Sequence, residues 1–169
     1  MTKTIEGFSL IELIMVMVIL GMVASLGALG LSNVVEGYSL SIEGTEISQK
    51  GQLAISRFAA DLAPVNSTGI LIFESTRLRY QADYGNATLS DVETHTMDFN
   101  STAGNLLYDD IVLSDMVQGV TFSYYQSDGT TVATVADDVR ILQLEIVLGG
   151  GDINNKTFTA RVAPVDLFD

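Results

Sequence analysis

The sequence predicts an α+β protein with a long N-terminal helix, of which the first half spans a membrane and the amphipathic second half packs on an antiparallel sheet. Three observations predict this class: an apolar run near the N-terminus, a helical repeat of apolar residues after it, and alternating segments typical of strands in the remainder. We therefore expect a leader at residues 1–7, a transmembrane helix at residues 8–31 and one soluble domain at residues 32–169.

An acidic residue lies at the start of the apolar run. Residues 13–31 are 19 consecutive uncharged residues, which as a helix measure roughly 28 Å, close to the ~30 Å hydrocarbon core of a bilayer. Glu12 lies just before this run. A carboxylate at that depth costs roughly 2.5–3.5 kcal/mol on insertion scales, so an acid in such a segment indicates a functional site.

The helix is predicted to continue beyond the membrane. Apolar or small residues recur at steps of three and four, which is the period of one helix face. These residues are Ile47, Gly51, Ile55, Phe58 and Leu62. Pro64 and the turn-forming residues 66–69 are expected to end the helix, since proline cannot donate a backbone hydrogen bond.

The rest of the chain has the alternating pattern of strands. The predicted strands are residues 70–73, 77–81, 94–99, 105–108, 117–125, 139–148 and 156–162. Residues 149–155 are rich in glycine and asparagine and are predicted to form a long hairpin loop. The result is an antiparallel sheet against which the second half of the helix can pack.

Composition limits the possible partners. The chain has a net charge of -13, and residues 32–169 hold 19 acidic against 7 basic side chains. Such a surface repels nucleic acid and anionic lipid, so no nucleic-acid partner is expected. There are no cysteines, so the core must stabilise the domain without disulfides. Lys3 before the apolar run agrees with a cytoplasmic N-terminus and an exported C-terminal domain.

Residues 7–13 read Gly-Phe-Ser-Leu-Ile-Glu-Leu, with a short polar leader before them and the apolar helix after them. This arrangement resembles the N-terminal signal of type IV pilins and of the pseudopilins of type II secretion. The resemblance implies that a prepilin peptidase cleaves after Gly7 and methylates the new N-terminus at Phe8. It also implies that Glu12 neutralises an N-terminal amine during filament assembly.

The same resemblance implies the partners and the location. Other pilin or pseudopilin subunits and an inner-membrane assembly platform would be partners in addition to the peptidase. The chain would be a single-pass protein of the cytoplasmic membrane with its C-terminal domain outside the cytoplasm, incorporated into a pilus or pseudopilus. It would be a structural subunit rather than an enzyme, without catalytic residues or a cofactor.

A finer resemblance extends over most of the soluble domain. The hydrophobic patterns of residues 53–62, 106–108, 117–125, 139–146 and 158–164 are similar to those of J-type minor pseudopilins and W-type minor pilins. In that group the subunit joins a small complex that starts the filament. Leu29 stands where many major pilins have proline, and the C-terminal cysteine pair common in pilus subunits is absent.

Other classes remain open. A single-span anchor that carries a binding domain explains the apolar run but not Glu12, and a secretory signal with a cleavage site near Gly27 or Gly30 would be shorter. An anchored hydrolase would need a catalytic set. The only histidine, His95, is predicted to face solvent on a strand, and the acidic pairs Asp109-Asp110 and Asp137-Asp138 are predicted to be solvated at strand ends.

The glycine-rich loop offers one candidate metal site. Asp152 and Asn154 in the glycine-rich loop offer the oxygen ligands that calcium prefers, and some pseudopilins bind that ion. The spacing matches no standard calcium loop, so we predict that no metal is bound there.

Overall fold

The computed structural model describes residues 9–83, 92–150 and 153–164, and the chain divides into two compact units between Ile42 and Glu43. One helix, α1 (Leu10–Leu62), is followed by eight strands and one short 3-10 helix. The strands are β1 (Val65–Phe73), β2 (Arg77–Asp83), β3 (Val92–Asn100), β4 (Asn105–Tyr108), β5 (Ile111–Ser114), β6 (Val117–Tyr125), β7 (Ile141–Gly150) and β8 (Ile153–Val162). The 3-10 helix is Ala136–Asp138.

The strands form two antiparallel sheets. The first has the order β1-β2-β3-β4-β5, and the second has the order β6-β7-β8. The predicted α+β architecture, a long N-terminal helix packed on antiparallel strands, is confirmed. The division into two sheets was not predicted. It occurs where Met116, with φ of 58°, turns the chain between β5 and β6.

The second half of α1 forms one wall of the core. Ile47, Ala54, Phe58 and Leu62 are fully buried, and the Phe58 ring lies 6.3 Å from the Phe122 ring of β6. Ile55, predicted on this face, is only half-buried, because the buried stripe runs through Ala54 instead. The helix ends at Leu62, two residues before Pro64, as expected from the missing N–H of proline.

The second sheet supplies the opposite wall. Leu142, Leu144 and Ile146 of β7 are buried, while the intervening Gln143 and Glu145 are partly exposed. This burial follows the predicted alternation with period two. The predicted loop at residues 149–155 is wrong in its length. β7 continues to Gly150, which pairs with Ile153 of β8, so strand pairing extends into the segment read as a loop.

One glycine of α1, Gly51, allows β8 to approach the helix closely. A Cβ atom at Gly51 would lie 2.5 Å from Cδ2 and Cε2 of Phe158 and 2.6 Å from its Cζ, which is closer than real contacts permit. Near Gly44 the Lys156 amine donates hydrogen bonds to the Gly44 carbonyl oxygen and to Ser48 Oγ, both at 3.0 Å. These contacts join β8 to the helix within the second compact unit.

Gly51→Ala is therefore expected to destabilise the protein, because the added methyl group must displace an aromatic ring that is held between helix and sheet. The expected loss of unfolding free energy is about 1–3 kcal/mol. Thermal and denaturant unfolding of the full chain in detergent micelles, followed by near-UV circular dichroism, measures it. Gly44→Ala is the matched control, because its Cβ would meet only the Lys156 amine at 3.8 Å. The control should be neutral or more stable by up to about 1 kcal/mol from its helix propensity. Equal losses in both variants would contradict the contact.

Candidate membrane and assembly helix

The first unit of the chain exposes an apolar helix surface. Over residues 10–42, all large apolar side chains for which burial is described are exposed, from 41% at Leu40 to 79% at Leu10. Among the described residues, α1 is the single helix long and apolar enough to cross a membrane. Such a surface is unfavourable in water and requires a bilayer or another protein to cover it.

The exposed apolar surface is longer than a membrane span. Residues 10–42 measure about 50 Å at ~1.5 Å per residue, whereas a hydrocarbon core is ~30 Å thick. Beyond Leu31 the helix still exposes Val34, Val35, Tyr38 and Ile42, at 51–68%. A bilayer that covers residues 13–31 leaves these side chains uncovered. They are therefore available for contact with another protein.

Glu12 lies in the first turn of α1 and is the only charged residue between Leu10 and Val35. The Glu12 and Leu13 amides donate to the Ser9 carbonyl oxygen at 3.1 and 3.2 Å. The partial positive charge of the helix N-terminus stabilises a carboxylate in this position. The side chain is exposed, and among the described residues it has no ion-pair partner.

The spacing Ser9-x-x-Glu12 also matches a capping box, a feature that the sequence analysis missed although it can be read from residue types alone. Glu12 therefore has a local structural role available in addition to an assembly role. Gly7 and Phe8, the predicted cleavage and methylation residues, lie outside the described part of the chain. The pairing of Glu12 with the Phe8 amine stays a prediction.

The prediction that His95 faces solvent is wrong. Its side chain is only 12% exposed, its ring stacks on Tyr108 at 5.3 Å, and its Nδ1 lies 2.6 Å from Asp109 Oδ2. Asp109 also accepts a hydrogen bond from the Thr96 amide at 2.8 Å, so it is not the freely solvated carboxylate predicted for a strand end. Asp137 and Asp138 are exposed, as predicted.

The His95 cluster fastens α1 to the first sheet. The Arg57 guanidinium carbon lies 4.5 Å from the centre of the Tyr108 ring, and Arg57 Nε donates a hydrogen bond to Asp61 at 2.6 Å. Burial raises the pKa of the Tyr108 hydroxyl to about 12, so this group stays neutral and polar at physiological pH. An imidazole–carboxylate pair can serve as a catalytic base, but here the imidazole is covered by an aromatic ring. The arrangement joins helix, β3 and β4.

Of the two calcium candidates, Asp152 lies outside the described residues, as does the side chain of Asn154. Within the described part of the chain, no three acidic, histidine or cysteine side chains converge on a point that could hold a metal.

We expect calcium to leave the melting temperature of the full chain unchanged, because one carboxylate and one amide in a short hairpin provide too few ligands for the six to eight that calcium takes. Differential scanning fluorimetry with calcium and with magnesium tests this. A rise specific to calcium that Asp152→Ala removes would contradict the expectation, since binding to the native state alone raises stability.

Comparison with known proteins adds one finding. Residues 3–28 match the model of the prokaryotic N-terminal methylation motif. The match includes Gly7, Phe8 and Glu12 and ends within the apolar helix. No curated protein matches the chain. The chain thus carries a prepilin-type signal of the kind found in type IV pilins and pseudopilins. This signal overlaps the start of a long helix that continues into an α+β domain of pilin-like architecture.

Proposed function

We propose that this protein is a J-like minor pseudopilin of a type II secretion system, a structural subunit that initiates or caps the pseudopilus. The methylation motif at residues 3–28 is the observation that carries the proposal. In this account a prepilin peptidase cleaves after Gly7 and methylates Phe8. The domain that follows the span is then exposed outside the cytoplasm, where it meets other subunits.

The geometry of α1 supports an assembling subunit over a simple anchor. A single-span anchor needs only enough apolar helix to cross the bilayer, whereas this helix exposes apolar side chains from Leu10 to Ile42. The surplus, about one third of that length, needs a protein surface. Glu12 adds a second argument, since glutamine would complete the capping box with Ser9 as well, and a plain anchor therefore gains nothing from a charge at the membrane edge.

Glu12 acts in this proposal as an electrostatic guide. A subunit that enters the filament brings an N-terminal amine, and the nearest carboxylate within the apolar helix surface is Glu12 of its neighbour. Two opposite charges attract far more strongly in a low-dielectric environment than in water, so the pair forms where helices pack and lipid excludes water. The pairing sets the axial register between neighbouring helices.

The alternative assignment is a W-like minor pilin of a type IV pilus, which would use the same signal and the same helix. Leu29 in place of a helix-kinking proline and the lack of cysteines weigh against an ordinary major pilin. Deletion of the gene in its native host separates the two assignments. We expect exported enzymes to accumulate in the periplasm while surface pili remain. Loss of pili and twitching with normal secretion would contradict the secretion role and establish the pilus role.

A further inference from the structure

Threonine follows asparagine at a distance of two residues in four places of the chain. These Asn-x-Thr sequences begin at Asn66, Asn86, Asn100 and Asn155, and none has proline in the middle position. The chain has 7 asparagines and 15 threonines among 169 residues, so chance would place a threonine at this distance from fewer than one asparagine. Composition therefore does not explain the pattern, which is the acceptor sequence for N-linked sugars in exported proteins.

The four asparagines lie in different structural settings. Asn66 lies within β1, Asn155 lies within β8, and Asn86 is outside the described residues. Asn100 is the last residue of β3 and begins the hairpin turn to β4. An enzyme that modifies a folded chain must take hold of the backbone around the asparagine, and local opening costs least at an exposed turn. Asn100 therefore has the most favourable position of the described sites.

Asn155 has the same acceptor sequence in an unfavourable position. A Cβ atom at Gly149 would overlap with Asn155 Oδ1, so this carboxamide lies directly against the backbone of β7. The middle residue of the sequence, Lys156, pairs with Leu148 of β7, and its amine is bonded to α1. Access to this sequence would require β8 to separate from β7 and from the helix. Asn155 is therefore an internal control for Asn100.

The hairpin turn orients the carboxamide of Asn100. Its Oδ1 accepts hydrogen bonds from the Thr102 and Ala103 amides at 3.1 and 3.0 Å. Its Nδ2 has no hydrogen-bond partner among the described residues, and Asn100 and residues 101–103 are exposed. The nitrogen, which is the atom that would carry a sugar, can therefore react without the loss of an intramolecular hydrogen bond.

The turn does not explain the threonine at position 102. Gly104, with φ of 65°, closes the hairpin, and its amide donates to the Asn100 carbonyl oxygen at 2.9 Å. Thr102 contributes its backbone amide, a group that every residue except proline has. Its side chain is exposed, and its hydroxyl makes no hydrogen bond to the part of the chain that the structure describes. An Asn-x-Thr acceptor, by contrast, requires a hydroxyl at this position.

We propose that Asn100 is an N-glycosylation site of the exported domain. Asn100 Nδ2 attacks the anomeric carbon of a lipid-linked oligosaccharide, and an N–C bond forms. The C–O bond to the lipid phosphate breaks, the phosphate leaves on the lipid, and the amide nitrogen gives one proton to a base of the transferase. The bulky, hydrated sugar would then keep the turn between β3 and β4 out of contacts with other subunits. The inference rests on export of the domain, which is part of the proposed function, but not on the J-like assignment.

Mass spectrometry of the full chain purified from membranes of its native host tests the proposal. We expect peptides that contain Asn100 to carry the added mass of sugar residues, and peptides that contain Asn155 to be unmodified. Asn100→Gln and Thr102→Ala should each remove the added mass, whereas Asn155→Gln should keep all of it. Thr102→Ala retains the backbone amide that bonds to Asn100, so its effect reports the acceptor sequence rather than the turn. Thr102→Ser keeps a hydroxyl and should retain the modification.

Three results would overturn the proposal. Asn100 would be found unmodified, its sugar would persist in Thr102→Ala, or Asn155 would be modified to the same extent, which would show that the hairpin gives no advantage. The N-terminal peptide of the same digest reports separately on cleavage before Phe8. A chain that is cleaved there but carries no sugar contradicts the glycosylation site and leaves the proposed function intact.

Discussion

Glu12→Leu is expected to leave the protein in the membrane while nearly abolishing its recovery with partner subunits. Leucine removes the cost of placing a carboxylate in the apolar segment, so insertion should be unchanged or improved. Assembly loses the partner of the incoming amine, which would then be buried and unpaired at a cost of about 3–5 kcal/mol. That corresponds to a loss of affinity of more than about a hundredfold. Pulldown of partner pseudopilins from detergent-solubilised membranes measures the change.

Glu12→Gln is the control that separates charge from capping. Glutamine can still complete the capping box with Ser9, but it cannot neutralise an amine. If Gln behaves like Leu, the negative charge itself recruits the neighbour. If Gln assembles like the wild type, a polar contact or the helix cap suffices. Poor insertion of Glu12→Leu with normal assembly would overturn the pairing.

Gly7→Asp is expected to block maturation. The peptidase would have to place an acidic side chain where the signal has none, next to the start of the apolar helix. Coexpression with a prepilin peptidase should therefore shorten the wild-type chain and leave the variant at full length on an immunoblot. As Gly7 is predicted to leave with the leader, the substitution changes nothing in the mature chain. A variant that is shortened as efficiently as wild type would refute Gly7 as the cleavage residue.

Much of the fold can be read from local patterns because those patterns report burial. The alternation along β7 and the helical repeat through Ile47, Phe58 and Leu62 both correspond to core residues in the structure. The signal for the membrane helix is more direct, since 19 consecutive uncharged residues are long enough to cross the hydrocarbon core. The prediction of a turn at residues 66–69 was wrong, because β1 already begins at Val65 and these polar residues lie within it.

The hairpin between β4 and β5 was missed because its turn depends on backbone conformation. Asp109 and Asp110 have φ of 48° and 66°, a left-handed conformation that aspartate tolerates better than most residues. As a pair they resemble an ordinary strand end, so the sequence indicated no second strand. Met116 also has a positive φ, and its residue type gives no indication of the turn that separates the sheets.

The burial of His95 was missed although β3 carries a signal for it. Met97 and Phe99 lie two and four residues after His95, so a period of two places all three on one face of the strand. The opposite face carries Thr94, Thr96 and Asp98, which favours the His95 face as the inner one. The contacts that hold the ring are distant in sequence, with Tyr108 stacked on it and Asp109 bonded to it. The capping role open to Glu12 was likewise visible in the spacing from Ser9.

Mass spectrometry of the N-terminal peptide tests most directly whether this protein is a processed filament subunit. The protein would be purified from membranes of cells that coexpress a prepilin peptidase. The account predicts that the mature chain begins at Phe8 and carries one added methyl group on its α-amine. A mature chain that begins after Gly27 or Gly30 would show an ordinary secretory signal. An intact chain that still begins at Met1 would show a plain membrane anchor, and either result would contradict the account.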